Sequence, residues 1–375
     1  MRITLTILTL RAGGAERDLC RVANFLAQEH SVTLVTLISP PEEKPFYPVD
    51  PAVQTLSLDL LRSWKENLGF WRRIHDLWNR VFCLLFYRRA LQRLHPDVII
   101  SYLTKTNILT LLSSVGTKIP VIISKRFDAR FLSYGWMLRI LRSWTYRWAD
   151  LIIAQTEEIA ETLTKLKTPL MVIPNAVPPA PRHAQYADTV RTIVSIGRLT
   201  GQKGFPILLK AFAKVHQDFP QCRLLIYGEG EDRKMLQELI EHLGLAAWAQ
   251  LPGITPDPLR ALSEADLFVS ATLYEGFPNA LAEAMSVGLP VLTSDRPENC
   301  ALVRDGENGC LFPVGNIDRL EQRMRELMTD AAQRRRLGQE AIKIAECFSL
   351  QRNRALWQEA IKRVTIGKRD SEEKA

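Results

Sequence analysis

A strand, a glycine turn, a helix and a second strand follow one another at the start of this chain, and that order leaves few folds open. Residues 2–10 are rich in leucine and β-branched side chains. Gly13-Gly14 stand in a turn, residues 16–29 repeat Leu19, Val22, Ala23 and Leu26 at helical spacing, and residues 32–38 read as a second buried strand. A helix between two strands makes them parallel, and a parallel sheet needs layers on both faces. Further strands are predicted at 53–58, 97–102, 121–124, 151–155 and 170–173, with a helix over 157–166.

A proline-rich run, Pro174-Asn175-Ala176-Val177-Pro178-Pro179, and a polar stretch to Thr189 break the pattern. The alternation restarts at Thr192. Strands are predicted at 192–196, 223–227, 250–251, 267–271, 290–293 and 309–312. Helices are predicted at 205–216, 232–243, 256–265 and 317–347, with a last amphipathic helix over 350–364 and a charged, disordered tail over 367–375. At 375 residues the chain exceeds one ordinary core. The reading is α/β, with two Rossmann-like domains at 1–178 and 179–349.

The net charge of +8 is unevenly placed. Residues 1–180 hold 23 basic and 15 acidic side chains, whereas residues 181–375 hold 26 of each, so the N-terminal half faces anionic material. The six cysteines are scattered, with no Cys-x2-Cys pair or His/Cys cluster for zinc, which fits a reducing compartment. Arg11 and Gly13-Gly14 stand where a secretory leader would show its cleavage site. The apolar stretch 98–116 carries Lys105 and Asn107 and divides into shorter elements.

Two segments, 61–94 and 131–149, combine arginine with aromatics. They contain six of the eight tryptophans: Trp64, Trp71, Trp78, Trp136, Trp144 and Trp148. Basic aromatic helices can lie in a bilayer interface, tryptophan at headgroup level and arginine on lipid phosphate. Nucleic-acid binding is the weaker rival, because the aromatics alternate with aliphatic residues at helical spacing rather than forming a strand platform. The third reading buries the aromatics in the domain core. The expectation is a peripheral contact with the inner face of the cytoplasmic membrane and no nucleic acid.

Chemistry gathers in the loops after the second set of strands. Arg198 and Lys203 share a loop bounded by Gly197 and Gly204, a pair suited to a diphosphate. Gly228-Glu229-Gly230 and Pro252-Gly253 end the next strands. Glu275-Gly276-Phe277-Pro278-Asn279-Ala280-Leu281-Ala282-Glu283 places two carboxylates eight positions apart around a helix start, where free N–H groups suit an anion or sugar hydroxyls. Alone, this stretch reads equally well as a cap and a solvated helix carboxylate. Four successive strand ends bearing glycine or charge resemble one nucleotide-binding cleft.

Together with Gly13-Gly14-Ala15-Glu16-Arg17 and Ile173-Pro174-Asn175, these motifs resemble glycosyltransferase family four along nearly the whole chain, and within it the bacterial lipid-linked oligosaccharide and α-N-acetylgalactosaminyl transferases. The segments Leu103-Thr104-Lys105-Thr106-Asn107 and Ser124-Lys125-Arg126-Phe127-Asp128 resemble that branch. The resemblance implies the GT-B fold, with sheets facing across a cleft and a C-terminal helix, about 350–366, returning to the N-terminal domain. It implies retaining transfer of a hexose or N-acetylhexosamine, UDP-linked, to a lipid-linked glycan, without a metal or other cofactor.

By the same resemblance, Glu275, Arg198 and Lys203 are catalytic. Donor contacts extend to Gly13, Gly14, Asn175, Gly197, Gly228, Glu229, Gly230, Gly253, Ile254, the stretch from Gly276 to Leu281 and the ribose-holding Glu283. Glu16, Thr104, Lys105 and Arg126 meet the acceptor. Many members carry a histidine after an N-domain strand where this chain has Tyr102-Leu103-Thr104-Lys105, which leaves the sugar's identity open. The rival readings are an epimerase or phosphorylase of the same fold and a non-catalytic nucleotide-sugar-binding protein.

Overall fold

The computed structural model describes residues 1–60, 72–126 and 136–372. The chain divides into two compact units: Met1–Pro174 with the chain from Asn353 onward, and Asn175–Arg352. The division falls inside the proline-rich run, four residues before the expected boundary at 178.

The first unit is built on a seven-stranded sheet: β1 (Arg2–Ile7), β2 (Ser31–Thr36), β3 (Gln54–Ser57), β4 (Val98–Tyr102), β5 (Val121–Lys125), β6 (Leu151–Ala154) and β7 (Leu170–Val172). Their order is β3-β2-β1-β4-β5-β6-β7, and every pair is parallel. Side chains alternate between two cores. Ile3, Leu5, Ile7, Val98, Ile100 and Ile153 lie on one face beneath the helix Gly14–Leu26 and the C-terminal helix. Ile99, Val121, Ile123 and Ile152 lie on the other, beneath Tyr87, Leu91, Ile108 and Tyr146. That near-continuous apolar character is what a sheet covered on both faces requires.

The second unit has six parallel strands: β8 (Thr192–Ile196), β9 (Arg223–Tyr227), β10 (Ala249–Gly253), β11 (Leu267–Ser270), β12 (Val291–Ser294) and β13 (Cys310–Phe312), in the order β10-β9-β8-β11-β12-β13. In each unit the strand order reverses beside the first strand, between β1 and β4 and between β8 and β11. Loops at the carboxyl ends of those pairs flank a crevice where open α/β sheets take ligands.

Three expectations need correction. The helix predicted over 317–347 is broken into Ile317–Thr329, Ala331–Ala341 and Ile344–Cys347. Asp330 leaves the helical region (φ −103°, ψ 91°), and its carboxylate accepts the N–H of Gln333, starting a new helix. The predicted helix over 157–166 shortens to Glu157–Glu161 and a tighter turn at Thr164–Leu166. The last helix, Leu350–Glu372, continues into the expected tail. Lys, Arg and Glu are good helix formers, and extending an existing helix avoids the nucleation cost. Residues 61–71 and 127–135 of the basic aromatic segments lie outside the described residues. Among the described residues, no helix is long and apolar enough to cross a membrane.

The C-terminal helix is part of the first unit's core. Trp357 is fully buried and stacks on Tyr102, ring centroids 6.1 Å apart and planes at 16°. Trp357→Ala should therefore cost about 3–5 kcal/mol. A urea melt followed by circular dichroism would show it, and a loss below about 1 kcal/mol would contradict the packing described.

Candidate functional site

The loop after β8 is shaped by glycines. Gly204 sits at φ +62°, and a Cβ there would lie 2.0 Å from the Ala271 carbonyl oxygen. It ends the tight turn Gly201–Lys203 and starts the helix Phe205–His216. Gly228, at φ +144°, would bring a Cβ to 1.9 Å from the Gly197 oxygen. Only glycine combines that φ with that approach. The loops after β8, β9 and β10 are also tied by backbone. The N–H of Gly197 donates to Tyr227, that of Leu199 to Glu229, and that of Gly228 to Gly253, at 2.9, 3.0 and 2.8 Å.

Across the strand reversal, the loop after β11 brings Glu275 to Lys203. Lys203 Nζ and Glu275 Oε1 form an ion pair, with Glu275 only 7% exposed. Gln202 Nε2 donates to Glu275 Oε2 at 3.3 Å and to the Tyr274 carbonyl at 2.9 Å, and the Leu273 N–H donates to the Gln202 carbonyl at 2.9 Å. Gln202 was not singled out from sequence, although it lies between Arg198 and Lys203. Its role depends on a partner more than seventy positions away. Arg198 is exposed and, among the described residues, forms no ion pair.

Glu275 lies ahead of the helix Asn279–Ser286, and Glu283 lies inside it, 5% exposed. The two carboxylates therefore do not share a helical face. Asn175 Nδ2 donates to Asn279 Oδ1 at 2.9 Å, joining the Ile173-Pro174-Asn175 motif to that helix start. Phe277 and Leu281 are buried in the core, and Phe277 packs edge-on against Phe348, so these two residues can offer a ligand only their backbone. Glu229 pairs with Arg233 at 2.7 Å, and Arg233 also donates to the Leu251 carbonyl. Gly253 has φ +89°, and Ile254 is exposed.

In the first unit, Gly13 and Gly14 begin the helix after β1, and Glu16 stands in its first turn. After β4, Leu103 adopts φ +74°, a strained backbone for leucine, at the N-terminus of the helix Thr104–Ser114. Lys105 is exposed there and Thr104 half-buried. Arg126, expected at the acceptor, is 4% exposed instead. Its Nη2 donates to Asp18 Oδ2 at 2.6 Å, the Tyr102 hydroxyl donates to the same oxygen at 3.0 Å, and the guanidinium lies 4.2 Å from the Tyr102 ring centre. Its charge is thus engaged inside the unit, joining the ends of β4 and β5 to the first helix. Asp18 was missed by the sequence reading; the available signal was an acidic residue beside Leu19 and Cys20 on a buried helix face.

Comparison with known proteins gives two family matches, "Glycosyltransferase Family 4" over residues 12–180 and "Glycosyl transferases group 1" over residues 181–344. A GalNAc-alpha-(1->4)-GalNAc-alpha-(1->3)-diNAcBac-PP-undecaprenol alpha-1,4-N-acetyl-D-galactosaminyltransferase of Campylobacter jejuni is 24% identical over 97% of this chain and 99% of that protein. An uncharacterized glycosyltransferase of Methanocaldococcus jannaschii is 33% identical over 43% of this chain, and the match spans 44% of that relative's length. The structure of Anabaena Alr3699/HepE in complex with UDP and glucose superposes with a TM-score of 0.75 at 17% identity, covering 96% of this chain and 99% of that one.

Breaking a buried ion pair strands the partner's charge. Asp18→Ala and Arg126→Ala should each destabilise by about 3–5 kcal/mol. The double variant should lose clearly less than the two losses combined, and a double-mutant cycle with additive effects would contradict the pairing.

Proposed function

The chain belongs to glycosyltransferase family four and is a GT-B transferase, and from that premise we propose that it moves a hexose or N-acetylhexosamine from a UDP-sugar to a lipid-linked glycan, with retention and without a metal. The observation that carries this reading is the Lys203–Glu275 pair, steadied by Gln202, at the strand reversal between β8 and β11 and ahead of the helix start at Asn279. UDP and glucose occupy the Anabaena structure, and the Campylobacter relative acts on a diphospho-undecaprenol glycan.

In this reading the donor diphosphate meets Arg198 first, because among the described residues no carboxylate is paired with Arg198. Lys203 is then shared between Glu275 and phosphate. As the sugar–oxygen bond breaks, negative charge grows on the departing diphosphate, and the two cations and the first-turn N–H groups of the helix Asn279–Ser286 stabilise it. Positive charge grows on the sugar ring, and Glu275 stabilises that side through its carboxylate while holding sugar hydroxyls. Glu283 takes the ribose hydroxyls, and the backbone at Gly253-Ile254 takes the base. The acceptor hydroxyl attacks from the face the diphosphate leaves, forming the new glycosidic bond as the sugar–phosphate bond breaks and passing its proton to the departing phosphate oxygen. Thr104 and Lys105 meet the acceptor, and Arg126 acts through Asp18 and Tyr102 by holding in place the end of β4, from which the chain enters their helix.

Turnover of UDP-glucose, UDP-N-acetylglucosamine and UDP-N-acetylgalactosamine with a polyprenyl-diphosphate glycan tests this reading, with products followed by mass spectrometry. Glu275→Ala should lower kcat by about 100- to 1,000-fold, the range for removing one preorganised transition-state contact. Arg198→Ala should weaken donor binding and turnover together. Unchanged turnover by Glu275→Ala would remove its assigned role, and an epimerised donor formed without acceptor would replace transfer by the rival chemistry. Activity should persist in EDTA; its loss there, restored by a divalent ion, would overturn the metal-free mechanism.

A further inference from the structure

The helix Trp136–Thr145 and the turn Tyr146–Trp148 carry a face that the proposed reaction does not use. Leu138, Leu141 and Tyr146 pack inward on the core. Trp136, Ile140 and Trp144, four positions apart and so aligned along one side, are 75%, 62% and 54% exposed. Trp144 meets Trp148 edge-on, ring centroids 4.4 Å apart. An apolar row this exposed is rare on a helix whose other side is already packed.

Arginine accompanies the row. Arg139, Arg142 and Arg147 line, with Trp136, Ile140 and Trp144, an open concavity of about 530 Å³. Residues 136–148 contain no Asp or Glu, and among the described residues none of the three arginines is in an ion pair. The partner must therefore bury tryptophan and isoleucine and supply several anions at once. Two copies of this face would bring like charges together. A nucleic acid supplies phosphate but has no counterpart for Met137 and Ile140.

We propose that this face docks the protein on an anionic phospholipid bilayer. Trp136, Ile140 and Trp144 enter the headgroup–acyl boundary, and Arg139, Arg142 and Arg147 bind lipid phosphates. The inference deepens the reading of a lipid-linked acceptor. Its test needs neither donor nor acceptor, so either can fail without the other.

The full chain is sedimented with vesicles of phosphatidylglycerol and phosphatidylcholine, and separately with pure phosphatidylcholine, at low and high salt. Binding should require phosphatidylglycerol and weaken with salt. The triple variant Arg139→Gln/Arg142→Gln/Arg147→Gln should lose roughly 100-fold in partitioning, about 1 kcal/mol per cation. Trp136→Ser/Ile140→Ser/Trp144→Ser should lose binding with an unchanged thermal melt. Should a variant fail to fold, hydrogen exchange of the parent decides, because vesicles should protect residues 136–148. Equal binding to neutral vesicles, parent-like binding by the arginine variant, vesicle binding without protection of that segment, or protection by self-association or an oligonucleotide instead of lipid would each overturn the proposal.

Discussion

Parallel strands all end on the same edge, and that constraint arranges everything else in this protein. Each strand must be followed by a crossover, so each loop at the carboxyl edge opens towards one side of its sheet. In the second unit the strands β8, β9, β10 and β11 deliver Lys203, Glu229, Gly253 and Glu275 to that edge, although 72 positions of sequence separate Lys203 from Glu275. The chemistry is thus gathered by topology, and the glycines at 204 and 228 let the loops approach closely enough for side chains to meet.

The first unit uses the same edge differently. There the first helix and the ends of β4 and β5 are tied by one buried carboxylate, Asp18, which accepts from both Arg126 and Tyr102. A charge pair with side chains 3% and 2% exposed gives little net stability but tolerates few alternatives, since moving either partner leaves a bare charge in the core. Leu103, the residue after Tyr102, has its positive φ there, and its N–H donates to the Ser124 carbonyl at 3.3 Å. The second unit offers exposed and shared cations at this edge, whereas the first buries Arg126 beside an exposed Lys105.

Much of this was legible in the sequence, because period and glycine are local signals. Buried strands show as short apolar runs, and the loops that close them need glycine where φ is positive, so the two sheets and the positions of Arg198, Lys203 and Glu275 could be read directly. Pairings were not legible. Nothing local marks Gln202 as a partner of Glu275, or Arg126 as buried against a residue 108 positions away. The break at Asp330 was hidden because most of its neighbours are good helix formers, and a single cap residue outweighed them. The charged end of the chain misled in the opposite direction, since a polar composition does not stop an existing helix from continuing.

The chain leaves the first unit at Pro174 and re-enters it at Asn353, so the second unit is an insertion within the first. Trp357, Ala360, Ile361 and Val364 belong to the same core as Ile3, Leu5 and Ile7. On the ribosome, the earliest strands are made long before the helix that covers them. The second unit, contiguous in sequence, can close around its own core while the first still exposes the sheet face on which Trp357 will settle. The half made first is completed last.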